Sequence, residues 1–305
     1  MRPTRDTAAG RAHLDLQKKA RADGQPTEAL LVLYSLEGFL ARLAASEHRD
    51  ELILKGGVLL AAFLVRRPTR DVDLQAQALP NDTESILGLV SSIAAGTPAG
   101  GLDDGLVFDA EHATAEVIRE DDVYPGVRIS LTCQLHSARI AFHVDINVGD
   151  PIWPEPQPVE LPRLLGGSVA LRAYPMPMVH AEKIVTAIAR GTANTRWRDF
   201  ADVYVLTGTH AVEAADLRTA ITAVATHRAV ELQPLDVVLD GYQLLAQTRY
   251  AAWRRRHRRD ELPARFIDLL AGVVAFADPV VTDSVGTATW EPQSRTWEQS
   301  TPRVR

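Results

Sequence analysis

The run LILKGGVLLAAFLVRRPTRDVDLQ, from Leu52 to Gln75, constrains this chain more than any other segment. Leu52-Ile53-Leu54 reads as a short strand. Gly56-Gly57 then permits a tight turn into an apolar helix predicted over Val58 to Val65. Pro68 forbids its continuation, and Thr69 to Gln75 reads as the next strand. Strand side chains alternate between faces, so Asp71 and Asp73 project together while Val72 and Leu74 point into a core. Two carboxylates this close repel unless a cation stands between them. Hard oxygen ligands beside a turn that can take an anion suit magnesium, with manganese as the alternative. The N–H groups at a helix N-terminus suit phosphate. Each half also has a plain structural reading, a solvated strand edge and an ordinary turn.

A second constellation lies in RIAFHVDINVGDP. Ile140, Phe142, Val144 and Ile146 share one strand face, and Ala141, His143, Asp145 and Asn147 share the other. Asp145 can complete a three-carboxylate site, or simply end a strand before a turn. His143 reads as a hydrogen-bonded surface histidine. A third constellation is HAEKIVTAIARGTANTRWRDFADVYVL. Lys183 and Arg190 lie two helical turns apart on one face. Asp199 and Asp202 lie one turn apart on the next helix. Lys183 can neutralise a polyphosphate, or these residues can form a helix-pair salt bridge. Lys55 and Arg70 flank the first motif.

The combination of glycine turn, helix and DxD resembles the polymerase-β-like nucleotidyltransferases. More narrowly, from about Leu30 to Leu206, it resembles the AbiEii/AbiGii toxin family with its MenT-like members. That resemblance implies an α+β fold: a nucleotidyltransferase core of mixed or antiparallel sheet with flanking helices, followed by a helical domain. It implies Mg²⁺ held by Asp71, Asp73 and Asp145, and an NTP bound by Lys55, Gly56, Gly57, Arg70 and Lys183. It makes Asp71, Asp73, Lys183 and Asp199 catalytic. It further implies transfer of a pyrimidine nucleotide to the 3′ acceptor end of tRNA, which blocks translation, and a neighbouring DNA-binding antitoxin. On that reading Asp73→Ala and Lys183→Ala each abolish transfer and leave the fold intact. Two departures stand out. Val58 follows the glycines where many relatives carry serine. Asp71 stands where some MenT-like toxins carry a phosphorylatable serine or threonine.

RYAAWRRRHRRDE, Arg249 to Glu261, offers an RNA-binding patch in Arg254, Arg255, Arg256, Arg258 and Arg259, together with Arg190. Tyr250 and Trp253 are candidate stacking residues. An arginine-rich helix end is the alternative. An enzyme acting on a small molecule, as the aminoglycoside-modifying nucleotidyltransferases do, and a non-catalytic nucleotide-binding protein are the rival functions.

Composition sets the remaining expectations. The 305 residues suggest two domains, and 46% hydrophobic content supplies a core. The single cysteine, Cys133, excludes an internal disulfide and reads as a buried thiol. No apolar stretch suits a membrane span or a signal peptide, so a cytoplasmic location is expected. A net charge of −6 excludes a wholly basic surface. Only four lysines are present, and Lys55 and Lys183 fall inside the motifs.

The predicted organisation runs from a polar arm (1–26) through the nucleotidyltransferase domain (27–175) to a helical domain (176–278) and an unstructured tail (279–305). Helices are expected over Thr27–Ser46, from Asn81 or Asp82 to Ala95, Met178–Arg190, Trp197–Leu206, Glu213–His227, Leu235–Arg256 and Ala264–Ala277. An antiparallel meander is expected over Thr114–Arg119, Val127–Leu135 and Arg139–Val148.

Overall fold

Apolar alternation in the first half of the chain builds a sheet, and helical periodicity in the second half builds a bundle. The computed structural model describes residues 2–63, 66–77, 79–80, 82–101, 103–120 and 124–299. It divides into two compact units, Met1–Asp150 with Pro156–Tyr174, and Pro151–Glu155 with Pro175–Arg305.

The first unit contains α1 (Ala8–Asp23), α2 (Thr27–Ala45), β1 (Leu52–Lys55), α3 (Gly56–Leu59), β2 (Asp71–Ala76), α4 (Thr83–Ala95), β3 (Leu106–Phe108), β4 (Thr114–Glu120), β5 (Tyr124–Leu135), β6 (Ala138–Val148), β7 (Gln157–Pro162) and β8 (Ser168–Ala173). These strands form one mixed sheet in the order β3-β5-β6-β2-β1-β8-β7, with β4 also on β5. The β2–β6 and β1–β8 pairs are parallel, and the rest are antiparallel. The meander appears as β4-β5-β6. Its β5–β6 turn is only His136-Ser137, with His136 at φ 53°. Ile140, Phe142, Val144 and Ile146 are buried as their alternation requires. They face α2, whose Leu36, Phe39, Leu40 and Leu43 are fully buried and whose Phe39 ring lies 6.3 Å from Phe142. An almost wholly apolar helix can only be an interior one.

One local expectation changes here and two are narrowed. The polar arm is largely the helix α1, capped by the Thr7 side chain and by Gly24 in the left-handed region. It buries Ala12, Leu16 and Ala20, a thin stripe at i, i+4 and i+8 that composition conceals. The helix predicted over Val58–Val65 is replaced by the single turn α3 and a 3₁₀ turn, Leu60–Phe63. Leu64 and Val65 lie outside the described residues. Since β1 and β2 are antiparallel neighbours, their connection must return to its starting edge, which a longer straight helix would oppose. The helix α4 is capped by Asp82, whose side chain accepts from the Ser85 N–H; Asn81 lies outside the described residues. Cys133 is buried, with its Sγ 3.1 Å from the Ser35 hydroxyl, and burial pushes its thiol up to about 11.

The second unit comprises α5 (Met176–Arg190), α6 (Trp197–Thr207), β9 (Val212–Glu213), α7 (Ala214–His227), α8 (Leu235–Val238), α9 (Tyr242–Arg256), α10 (Phe266–Val281), β10 (Thr289–Glu291) and β11 (Thr296–Glu298). The single helix expected over Leu235–Arg256 is broken into α8 and α9 at Gly241, which has φ 81°. The expectation of an unstructured tail is overturned over residues 279–299, while 300–305 lie outside the described residues. The helix α10 extends to Val281, and β10 and β11 form a hairpin that joins β9 in a three-stranded sheet. Trp290 is fully buried, stacks edge-on against Phe276 at 5.0 Å and donates its indole N–H to the Thr207 carbonyl at 2.7 Å. A polar sequence with isolated tryptophans hides this, because two aromatic anchors do not make a period. Trp290→Ala should therefore cost about 3–5 kcal/mol, read as a lowered urea midpoint. Among the described residues, no helix is long and apolar enough to cross a membrane.

Candidate active site

Strand register brings four charged side chains into one row across the first unit's sheet. Lys55 on β1 is paired with Asp73 on β2. Asp73 is paired with Asp145 on β6, and Asp145 with Arg128 on β5. The row reads plus, minus, minus, plus. Asp71 and His143 form the next paired position. The structure thus groups Lys55, the Asp71–Asp73 pair and Asp145, three places far apart in sequence, because β2 lies between antiparallel β1 and parallel β6.

Each charge has a defined environment. Asp73 accepts from the Gly57 N–H at 3.3 Å. Burial, then the nearby Asp145 and Asp71 carboxylates, raise its carboxyl to about 6, against an opposing pull from Lys55. Asp71 is raised for the same reasons, burial first and Asp145 second. Lys55 is buried, lies 3.5 Å from Asp150 and stands 5.6 Å from the Tyr174 ring. Its side chain is therefore part of the interior, fixed among charged groups, and does not reach out to solvent. Arg128 donates from Nε and Nη2 to the two Asp145 oxygens at 2.8 and 2.7 Å. Sequence reading missed Arg128. Its only signal was its place among the polar positions of an alternating strand. His143 carries a Ser130 hydroxyl at 3.1 Å, in keeping with a hydrogen-bonded histidine. Arg70 is exposed and paired with Glu28 at 2.9 Å.

The glycine turn serves the carboxylate directly. Gly56 sits at φ 66°, a region costly to any residue with a Cβ, and a Cβ there would collide with the Asp73 carboxylate. The Gly57 N–H, expected to await a phosphate, is engaged by Asp73. Gly56→Ala should displace Asp73, cost about 1–3 kcal/mol and sharply reduce any transfer activity. Thermal denaturation alongside an activity assay would check both effects.

The donor set tests the expected metal. Hard oxygens, two of them on carboxylates whose protons are held by mutual repulsion and burial, suit a divalent cation at Asp71 and Asp73. Among the described residues, no group of three or more histidine, cysteine, aspartate or glutamate side chains stands in metal-holding geometry. Both oxygens of Asp145 accept from the Arg128 fork.

In the second unit, α5 presents Lys183 to α6. Its Nζ lies 2.5 Å from Asp199 and 2.9 Å from Asp202. Lys183 is mostly buried, so this is the helix-pair bridge foreseen as the alternative to phosphate binding. Arg190 is half-buried in the last turn of α5.

The aromatic part of the RNA-patch expectation is overturned. Tyr250 and Trp253 are buried, in ring contact with Trp197, and cannot stack on a base. Arg254 is committed to the Leu262 and Asp260 carbonyls. Arg259 pairs with Glu261 and covers Trp253. A helix of arginines on an aromatic core spends some of them on its own loop. Arg255, Arg256 and Arg258 remain exposed. Exposed Arg198 joins them through His257, whose pKa is lowered by burial and then by Arg256 and Arg198.

A mixed sheet with a DxD strand beside a glycine turn, flanking helices and a following helical bundle is a polymerase-β-like nucleotidyltransferase core with its C-terminal bundle. The chain belongs to the AbiEii nucleotidyltransferase family: the family described as "Nucleotidyl transferase AbiEii toxin, Type IV TA system" matches residues 38–275. Two solved structures are similar. One, a candidate nucleotidyltransferase from H. pylori, is 14% identical and covers 83% of this chain and 93% of its own, with a TM-score of 0.42. The other, JHP933 from Helicobacter pylori, is 11% identical and covers 74% and 92%, with a TM-score of 0.32. No curated protein matches the sequence significantly.

Proposed function

We propose that this protein is a metal-dependent toxin that transfers a nucleotide, a pyrimidine on the MenT-like resemblance, from an NTP to the 3′ acceptor end of tRNA. Pyrophosphate is released and translation stops. The observation that carries the reading is the partly covered Asp73 carboxylate, held by the Gly57 N–H beside Asp145 and Lys55.

Asp71 and Asp73 would hold Mg²⁺ or Mn²⁺, which when bound supplies the charge that offsets the triphosphate and polarises its phosphoryl oxygens. The chain's own residues do the remaining work. Gly56 leaves room for Asp73 and fixes the turn. Lys55 neutralises the inner side of Asp73 and keeps its carboxylate in place. The Gly57 N–H orients one Asp73 oxygen. Without the serine hydroxyl of many relatives, and with the Gly57 N–H engaged by Asp73, the phosphate depends on the bound cation and on the other backbone donors of the turn. Lys183 and Asp199 are assigned to the same reaction on the family motif alone. An antitoxin partner follows from the same family.

Exposed Arg255, Arg256 and Arg258 are the natural phosphate contacts for tRNA. Converting all three to glutamine should weaken tRNA binding and lower the salt slope of log K by about 2–3, with stability unchanged. Filter binding across a salt series checks this. The reaction itself is tested by incubating the protein with Mg²⁺, total tRNA and each labelled NTP in turn, beside Asp73→Asn. Label on tRNA, absent with the variant, supports the reading and names the base. Label on no RNA with any NTP would overturn the tRNA acceptor and favour a small-molecule one.

A further inference from the structure

The charged row ends on a residue that no motif pointed to. Arg128 grips Asp145 through a planar two-point fork, Nε to one oxygen at 2.8 Å and Nη2 to the other at 2.7 Å. Asp145 is only 7% exposed and adjoins Asp73 in strand register. Two neighbouring carboxylates, Asp145 buried and Asp73 partly covered, need positive charge on both flanks. Lys55 supplies it on the Asp73 side and Arg128 on the Asp145 side. A guanidinium is permanently protonated and matches a carboxylate in shape as well as charge. The Arg128 side chain is itself largely covered, 31% exposed, and Glu116 on β4 is its paired neighbour on the outer side. Its Nη1 has no hydrogen-bond partner among the described residues, so donors remain on the fork's far edge.

We propose that Arg128 occupies, as a tethered cation, the position that a second metal ion would take beside Asp145. The site then binds a single divalent ion at Asp71 and Asp73, and Asp145 is a positioning residue for Arg128 and not a metal ligand. The inference rests on the metal-dependent reading above. It follows from competition: an ion at Asp145 must first break two short charge-assisted bonds and leave a largely covered guanidinium unpaired. With Arg128 locked, its remaining N–H groups are fixed for a phosphoryl oxygen, where pre-organised donors act without reorganising.

The test is a Mn²⁺ titration of the full-length protein without nucleotide, followed by electron paramagnetic resonance, with thermal denaturation in EDTA and in Mn²⁺ alongside. Wild type should bind a single ion. Arg128→Gln should bind a second, lose melting temperature in EDTA and regain more of it on Mn²⁺ addition than wild type does. Asp145→Asn, which keeps the arginine and removes the repulsion, should still bind a single ion within about twofold of the wild-type affinity. Two ions in wild type, a single ion in folded Arg128→Gln, or loss of the ion in Asp145→Asn would each overturn the inference while sparing the metal reading. Absence of Mn²⁺ binding in wild type and in every variant would overturn both.

Discussion

Replacing Asp73 by asparagine is expected to abolish nucleotidyl transfer and, in the metal-free protein, to raise stability above pH 6. The loss of activity should reach roughly 1,000-fold, about 4 kcal/mol of transition-state stabilisation, if this carboxylate holds the ion. The gain in stability follows from proton linkage. The unfolded aspartate releases its proton near 3.8, whereas the folded one keeps it to about 6. Between those values the folded state binds more protons than the unfolded state, so stability falls as pH rises through the window. It is fully present below about 4 and lost above about 6, a total near 3 kcal/mol at one pKa unit per 1.4 kcal/mol. Asparagine keeps an oxygen for the Gly57 N–H and carries no charge, so the variant should lack this slope. Urea denaturation in EDTA from pH 4 to 8, taken as the difference between wild type and Asp73→Asn, reads the effect directly. A difference independent of pH would show that Asp73 is not buried as a strained carboxylate. Since a divalent ion must displace the same proton, its affinity should weaken below about pH 6.

Lys183→Met is expected to lose transfer and, contrary to the expectation from sequence, to damage the second unit. The ammonium is shared by Asp199 and Asp202, with side chains 20% and 5% exposed. Removing it takes the common cation from two carboxylates one helical turn apart, which costs about 3–5 kcal/mol when the charges are buried. Loss of activity in Lys183→Met alone therefore cannot separate chemistry from folding. Adding Asp199→Asn and Asp202→Asn to Lys183→Met should recover most of the stability and none of the transfer. If the combined variant regains transfer with its stability, Lys183 is a structural bridge only.

The motifs that local spacing encodes were readable in the chain. The pairing of Asp71 with Asp73 across an intervening Val72, the buried face Ile140-Phe142-Val144-Ile146 and the helix carrying Lys183 all depend on separations of two to four residues. A backbone of fixed period converts such separations into faces. The sequence also held the family's glycine turn, since Gly56 must adopt a positive φ wherever the chain turns this tightly. Those elements, with the alternation from strands to helices, determined the two-part architecture.

Only the tertiary structure decided which charge answers which. Asp145 meets Arg128 across a hairpin, and Asp73 meets Gly57 across the β1–β2 connection. Both contacts are set by strand register, which no local period specifies. Burial was decided the same way. Tyr250 and Trp253 became core because Trp197 and Phe266 arrive from other helices, and Trp290 became core because Phe276 and the Thr207 carbonyl wait for it. A side chain's chemistry is written in the chain, but its desolvation and its partners come from residues far away in sequence. These non-local terms decide whether a carboxylate holds a proton, an arginine or a metal ion.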